Sequence, residues 1–361
     1  MTHARRTGLR GHPAAGPLSF PAAAEDALAS LEARAAERER AGDWPGAADA
    51  FRALFDAAAR SGALEAAADA LRGQARIRQQ EERLDEADEL AALSLALAEA
   101  ADLPRAAARA VNTRAAIRYL RRDYDGARTL FEAALERALD VGDDVLTGWA
   151  CQNLGVLANI RGDLREARTR YLEAVGSFVR SRNKRNAAQV YNNLGMVCAD
   201  LRDWMEAEVC FDRGIEMAAR LSDQPLLAKL YANRAEPLLR LNDFSRARES
   251  LDRAQRLAAQ VDARETLADA ARFRGMLARA EGRDDDAAAH FGRAREMARA
   301  AGLALEEAEA LRELGDLETA RGRPADARAA LEEARALFVR LGAERDAERV
   351  DEMLAGIDAP S

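Results

Sequence analysis

Small and large apolar residues recur along this chain with a period of forty. Ala47, Ala87, Ala127, Ala167, Ala207, Ala247, Ala287 and Ala327 follow one another without a slip. Four residues after each stands Phe51, Ala91, Phe131, Tyr171, Phe211, Leu251, Phe291 or Leu331. Three further on comes Leu54, Ser94, Ala134, Ala174, Gly214, Ala254, Ala294 or Ala334. A spacing of four and then three puts each triplet on one face of a helix. The small outer residues let a neighbouring helix come close, and the large middle one fills the space between.

Polar residues mark where that helix begins. Asp43, Asp123, Asp163, Asp203 and Asp243 stand four positions before the repeating alanine, where a carboxylate can accept from the free N–H groups of a first turn. Gly42, Gly162, Gly282 and Gly322 come just before, suited to the left-handed residue that ends a preceding helix. Pro45 and Pro324 fall in the first turn, where proline costs nothing. The preceding helix has its own pattern, as in CQNLGVLANI (151–160) and VYNNLGMVCA (190–199), with a small site at Gly155, Gly195, Ala235, Gly275 and Gly315. Each unit therefore reads helix, tight turn, helix, short loop. The expected fold is all-α, with eight forty-residue units over 22–341, and a closing helix and tail over 342–361. A disordered basic tail is expected over 1–21.

Composition agrees with helices and narrows the chemistry. Hydrophobic residues are 48% of the 361, aromatic ones only 5% and charged ones 32%, a profile dominated by strong helix formers. The net charge of −8 argues against a general nucleic-acid binder, which needs a basic footprint. Residues 1–20 lack the apolar block of a signal peptide, and no stretch is apolar enough to span a bilayer, so a cytoplasmic protein without membrane contact is expected. Cys151, Cys198 and Cys210 form no CxxC pair and read as free, buried thiols.

Leu154-Gly155, then Ala167, Tyr171 and Ala174, resembles the tetratricopeptide repeat with its L-G…A…F…A pattern. The likeness covers roughly residues 22–341. The forty-residue unit is similar to the longer-helix variety of kinesin light chains and bacterial Rap-type regulators. Six residues beyond the usual unit add about 9 Å of helix. The resemblance implies a right-handed superhelical solenoid whose first helices line a concave face that takes peptides.

Carried onto this sequence, the resemblance places Arg109, Trp149, Gln189 and Lys229 in one register of that face. Asn112, Gln152, Asn192 and Ala232 occupy the next, and Thr113, Asn153, Asn193 and Asn233 a third. Glu236 lies one turn beyond Asn233. A carboxamide offers both donors and an acceptor to a peptide unit, and Lys229 shares a helix face with Asn233. Asn-Leu-Gly also recurs in such repeats for packing reasons alone. All nine asparagines and both lysines nevertheless lie between 112 and 242, which singles out the third to sixth units. Farther on the same registers turn acidic at Asp269, Glu309 and Glu313, while 104–122 carries six arginines and no acid.

Two departures and one charge run remain. Arg114, Arg234 and Arg274 stand where Leu154, Leu194 and Leu314 set the pattern, so those units either pack differently or pair the guanidinium with an acid. Pro237 removes a helical hydrogen bond to the carbonyl of Asn233 and is either a simple kink or part of the site. VRSRNKRN (179–186) reads as a basic loop, open to an acidic partner or merely solvated.

Catalytic signatures are lacking in the sequence. His3 and His12 lie in the tail and His290 beside a packing residue. No phosphate loop, zinc-protease or serine-hydrolase motif occurs, so neither cofactor nor metal is expected. Two readings stand: an adaptor that binds a peptide segment of another protein, or a regulator whose superhelix responds to a peptide or small ligand. The oligomeric state is left open.

Overall fold

Helices of 17 or 18 residues follow one another at intervals of twenty through most of the computed structural model, which describes residues 22–358. The expected tail over 1–21, with His3 and His12, lies outside the described residues. Eighteen helical segments and no strand occur among those described, from Ala22–Arg40 to Glu344–Asp358.

One turn is used at every junction. At the end of Leu164's predecessor, the helix Asp144–Ile160, the Gly162 N–H donates to the Asn159 carbonyl at 2.9 Å and the Asp163 N–H to the Ala158 carbonyl at 2.9 Å. Together they satisfy carbonyls that the helix itself leaves unpaired. Asp163 then begins the next helix: its Oδ1 accepts from the Glu166 N–H at 3.0 Å, and its carbonyl from the Ala167 N–H at 2.9 Å. A single residue thus closes one helix and caps the next. Asp43, Asp123, Asp203 and Asp243 cap in the same way, as the sequence pattern predicts.

The turn requires a left-handed residue, and Gly162 supplies it at φ +78°. The expected alternation of a tight turn with a short loop does not hold. Positive φ recurs every twenty residues from 42 to 342, so the connections between hairpins are the same turn as those within them. Eight of these positions carry residues other than glycine, including Arg122, Arg202 and Ser222, and so give no signal in sequence.

The chain divides by its internal contacts into two compact units, 1–127 and 128–361. In the first, Phe51, Leu54 and Ile77 pack between Trp44–Ser61 and its neighbours, and Ala75, Ala87, Ala91 and Ile117 close the next layer. In the second, Tyr171, Phe178, Leu194, Phe211 and Leu230 form one cluster. Smaller clusters follow around Leu251 and Phe273, Phe291 and Leu317, and Leu331, Phe338 and Val350.

The repeating triplets lie in these cores. Ala167 and Ala207 are wholly buried. Tyr171 lies against Gly155 and Phe211 against Gly195. A methyl group on either glycine would stand 2.7 Å from the facing ring, so the small site exists to receive the aromatic one.

One helix is broken. Gln224–Asn233 and Ala235–Arg240 would be a single 17-residue element but for Pro237. Arg234 between them keeps helical angles (φ −62°, ψ −21°), so the backbone does not unwind at the break. Pro237 itself is buried.

Candidate functional site

The sequence-derived residues fall in both units. In the first, the guanidinium of Arg109 is spent within the fold. Its Nε and Nη2 donate to the two Asp69 oxygens at 3.1 and 2.8 Å, and Nη2 also reaches Glu65 at 2.9 Å. Asn112 is half-buried, and its Oδ1 is buried without a donor. Thr113 is buried and donates to the Arg109 carbonyl at 3.1 Å. The basic helix anticipated over 104–122 is largely neutralised by its predecessors. Arg114 pairs with Asp88 at 3.1 Å and Arg121 with Asp85 at 2.6 Å. The first unit therefore offers no open basic face along this helix.

In the second unit the candidates sit on Asp144–Ile160, Lys184–Asp200 and Gln224–Asn233. Trp149 is 37% exposed, unusual for so large a ring. Gln152 is half-buried and Gln189 exposed. Asn153 and Asn193 are half-buried, and no hydrogen bond engages either amide among the described residues. Asn192 and Asn233 behave differently. Asn192 is buried, and its Oδ1 accepts from Asn233 Nδ2 at 2.9 Å across neighbouring helices. Asn233 thus keeps its own Oδ1 and one N–H for other partners. Lys229 extends to Glu265 at 2.7 Å, with both side chains substantially exposed, a geometry in which an ion pair is weak and easily exchanged.

Carboxylates gather on the next first helices. Arg272 is buried and takes Asp269 at 3.1 Å and Glu309 at 2.9 Å, its guanidinium stacked 4.3 Å from the Phe273 ring. Burial opposes its charge, but Glu309 and Asp269 outweigh that and hold the guanidinium protonated. Burial likewise pushes the Asp269 carboxyl up to about 6, Arg272 opposing and Glu309 adding to the rise. Glu236, the last candidate in sequence, sits 3.8 Å from Arg240. Withdrawal from water raises its carboxyl above the usual range despite Arg272 and Arg240 nearby.

Some readings of the sequence change once partners are visible. Residues 179–186 are not a loop: Arg180 ends one helix, Lys184 begins the next, and only 181–183 form the turn. Two of its cations are engaged, Arg180 with Asp144 and Arg185 with Asp223, each at 2.8 Å. Of the open alternatives for the arginines at leucine positions, pairing is the one found. Arg234 pairs with Asp212, and Arg274 with Asp252 at 2.6 Å. The signal was present, since Asp212 and Asp252 both lie 22 residues before their arginines.

Reactive chemistry is subdued. All three thiols are buried and free, and burial pushes Cys151 up to about 12, which keeps it protonated. No group of three or more His, Cys, Asp or Glu among the described residues is arranged to hold a metal ion. No helix among them is long and apolar enough to cross a membrane.

Known proteins place this architecture. Residues 105–177 and 186–260 match the family model described as Tetratricopeptide repeat. No curated protein matches the chain by sequence. Among similar solved structures is a Rap protein complexed with Competence and Sporulation Factor, at TM-score 0.56 and 15% identity over 92% of this chain and 98% of that one. BtubC (BKLC) from P. vanneervenii is similar at TM-score 0.52 and 22% identity, over 66% and 92% of the two chains. Aspartyl phosphate phosphatase F from Bacillus subtilis is similar at TM-score 0.52 and 12% identity, over 98% and 97%. At such identities the likeness is one of fold. With its paired helices and its glycine–aromatic contacts, the chain carries tetratricopeptide repeats over residues 105–177 and 186–260.

Proposed function

We propose that this protein is a non-catalytic adaptor that holds a peptide segment of another protein against the first helices of its second unit. The observation that carries this reading is the pair of unengaged amides, Asn153 and Asn193, in one register with Asn233 on successive first helices. A half-buried amide without an intramolecular partner has hydrogen-bonding capacity left for a ligand backbone. Trp149, Gln152, Gln189 and Asn192 flank them by register, and Lys229 supplies a charge whose present partner is exposed. Arg109 and Asn112 belong to the first unit, and Arg109 is engaged there, so neither is needed for this reading.

The test uses peptides selected on the full-length chain from an unbiased display library and measured by isothermal titration. Each amide contact contributes about 0.5–1.5 kcal/mol and the charged one about 1.5–3 kcal/mol. The variant Asn153→Ala, Asn193→Ala, Asn233→Ala, Lys229→Ala should therefore bind about a hundredfold more weakly or worse. Gln255→Ala, at an exposed position on the second helix Phe244–Gln260, should leave affinity unchanged. Equal binding by the quadruple variant, with its helicity intact, would place the ligand on another face.

A second reading, a ligand-responsive regulator, draws support from the likeness to the Rap protein solved with Competence and Sporulation Factor. It predicts that a selected peptide alters protection of amides far from Asn153–Asn233 in hydrogen exchange, whereas the adaptor protects only the face it touches.

A further inference from the structure

Along the second unit, the register positions that continue the candidate face change character. Near its start they are apolar and unusually open: Trp149, Ile160 and Met196 are 37%, 43% and 48% exposed. Forty residues later, the registers of Ile160 and Met196 are occupied by Asp200 and Glu236. Beyond these, one buried guanidinium, Arg272, faces the carboxylates of Asp269 and Glu309 directly, with Glu313 and Glu236 also within its field. Arg312 meets Glu313 at 3.3 Å and Arg240 meets Glu236 at 3.8 Å, so with Arg272 three guanidinium groups face these four carboxylates and one negative charge is left over.

The chain already seats one guanidinium on this face. Arg345, on the last helix Glu344–Asp358, reaches Asp200 on Lys184–Asp200 at 3.5 Å, with both side chains about half exposed. Burial raises the Asp200 carboxyl, and Arg345 is the foremost group opposing that rise. The pair is a loose intramolecular contact of the kind that a competing cation displaces.

We propose that this face docks a basic, amphipathic segment of a partner protein. Its bulky apolar side chains lie against Trp149, Ile160 and Met196, and its arginine or lysine side chains against Glu236, Asp269 and Glu309. The proposal rests on the peptide-binding reading above and adds the polarity of the partner. Incoming cations relieve repulsion among carboxylates that are partly withdrawn from water, whereas an acidic segment or a nucleic acid meets the same excess charge as a barrier. The apolar end covers large side chains that the fold leaves in water. Arg345 is then a built-in competitor at the Asp200 edge.

The experiment selects peptides from the same unbiased library on the full-length chain and measures affinities by fluorescence anisotropy at two salt concentrations. Selected peptides should carry net positive charge at one end and aromatic or aliphatic residues at the other. The isosteric variant Glu236→Gln, Asp269→Asn, Glu309→Gln should bind them about tenfold more weakly, and raised salt should weaken wild type in the same direction. Glu236→Gln alone guards against misfolding of the triple variant and should show a smaller loss. Trp149→Ala should weaken binding, and Arg345→Ala should tighten it. Selection of neutral or acidic peptides overturns the proposal, as does equal binding by wild type, Glu236→Gln and a folded triple variant. If such peptides still lose affinity in the asparagine–lysine variant, the peptide-binding reading survives and only the polarity fails. If no peptide is selected, or none responds to either set of substitutions, both fall.

Discussion

Asp163 shows how much one side chain does here. Its backbone closes one helix while its carboxylate caps the next, so Asp163→Ala should cost about 1 kcal/mol in urea unfolding. The left-handed residue just before each cap is costly when it has a Cβ. Arg202, at φ +61°, is such a position, and no ion pair holds its exposed side chain in place. Arg202→Gly should therefore raise stability by about 1 kcal/mol, and an unchanged or lower urea midpoint would show that the turn imposes no strain there. Ala207 is wholly buried against its neighbours. Ala207→Leu inserts three carbons into a closed contact and should cost about 1–3 kcal/mol, read as a drop in Tm.

Single helices show how a pattern survives exceptions. Arg234 stands where Leu194 stands one unit earlier, and Asp212 stands where that unit has Leu172. The earlier unit has a buried Leu194 and a half-exposed Leu172 at these positions, where the later one has an ion pair. The Arg234 side chain is only 11% exposed. Asp212→Ala should strand that charge and destabilise, whereas Asp212→Leu with Arg234→Leu should recover most of the loss. Thermal melts of the single and double variants decide it, and a double variant no better than the single would deny the pairing its role. Pro237 breaks the following stretch of backbone. Pro237→Ala restores an N–H for the Asn233 carbonyl and should stabilise the protein by about 1–3 kcal/mol, reduced by any packing lost with the ring. The binding assay separates the two readings of this proline: a simple kink leaves peptide affinity unchanged, and a carbonyl needed by the ligand makes the more stable variant bind less well.

For the whole molecule, charge is the property that the repeat does not dictate. Asp269, Glu236, Glu306 and Asp200 all have carboxyls raised by burial on first helices of the second unit. A carboxyl with a folded-state pKa of about 6, against 3.8 for the free group, binds its proton more tightly in the folded chain. Its contribution to stability therefore falls as pH rises from about 4 to about 6, and is level above that. The stability of Asp269→Asn relative to wild type should rise over this interval and then stop changing. A flat difference between pH 4 and 7 in urea titrations would show that Asp269 ionises normally. Carboxylates held low, such as Asp43 at its cap and Glu281 beside Arg283, act in the opposite sense. For this reason the difference between variants is the useful quantity, rather than the wild-type profile.

The forty-residue register of Ala, aromatic and small residues determined the helices, their pairing and their caps, because side-chain volume and capping are local properties repeated in phase. That Tyr171 fills space between helices and that Asp163 caps one could be read from spacing alone, whereas the meeting of Tyr171 with Gly155 could not. The halved period of the turns is hidden in the sequence because half of the left-handed positions carry Arg, Glu, Asp, Ser or Asn instead of glycine. The candidate face was legible only as a set of registers. Which of its groups are already engaged depends on residues brought together from other helices. Arg109 is held by Asp69 and Glu65, Asn233 by Asn192, and Asp200 by Arg345 from the last helix, whereas Asn153 and Asn193 keep their amides. Hydrogen bonds and ion pairs act over a few ångströms between side chains far apart in sequence, so only the tertiary structure could decide which of these groups were left for a partner.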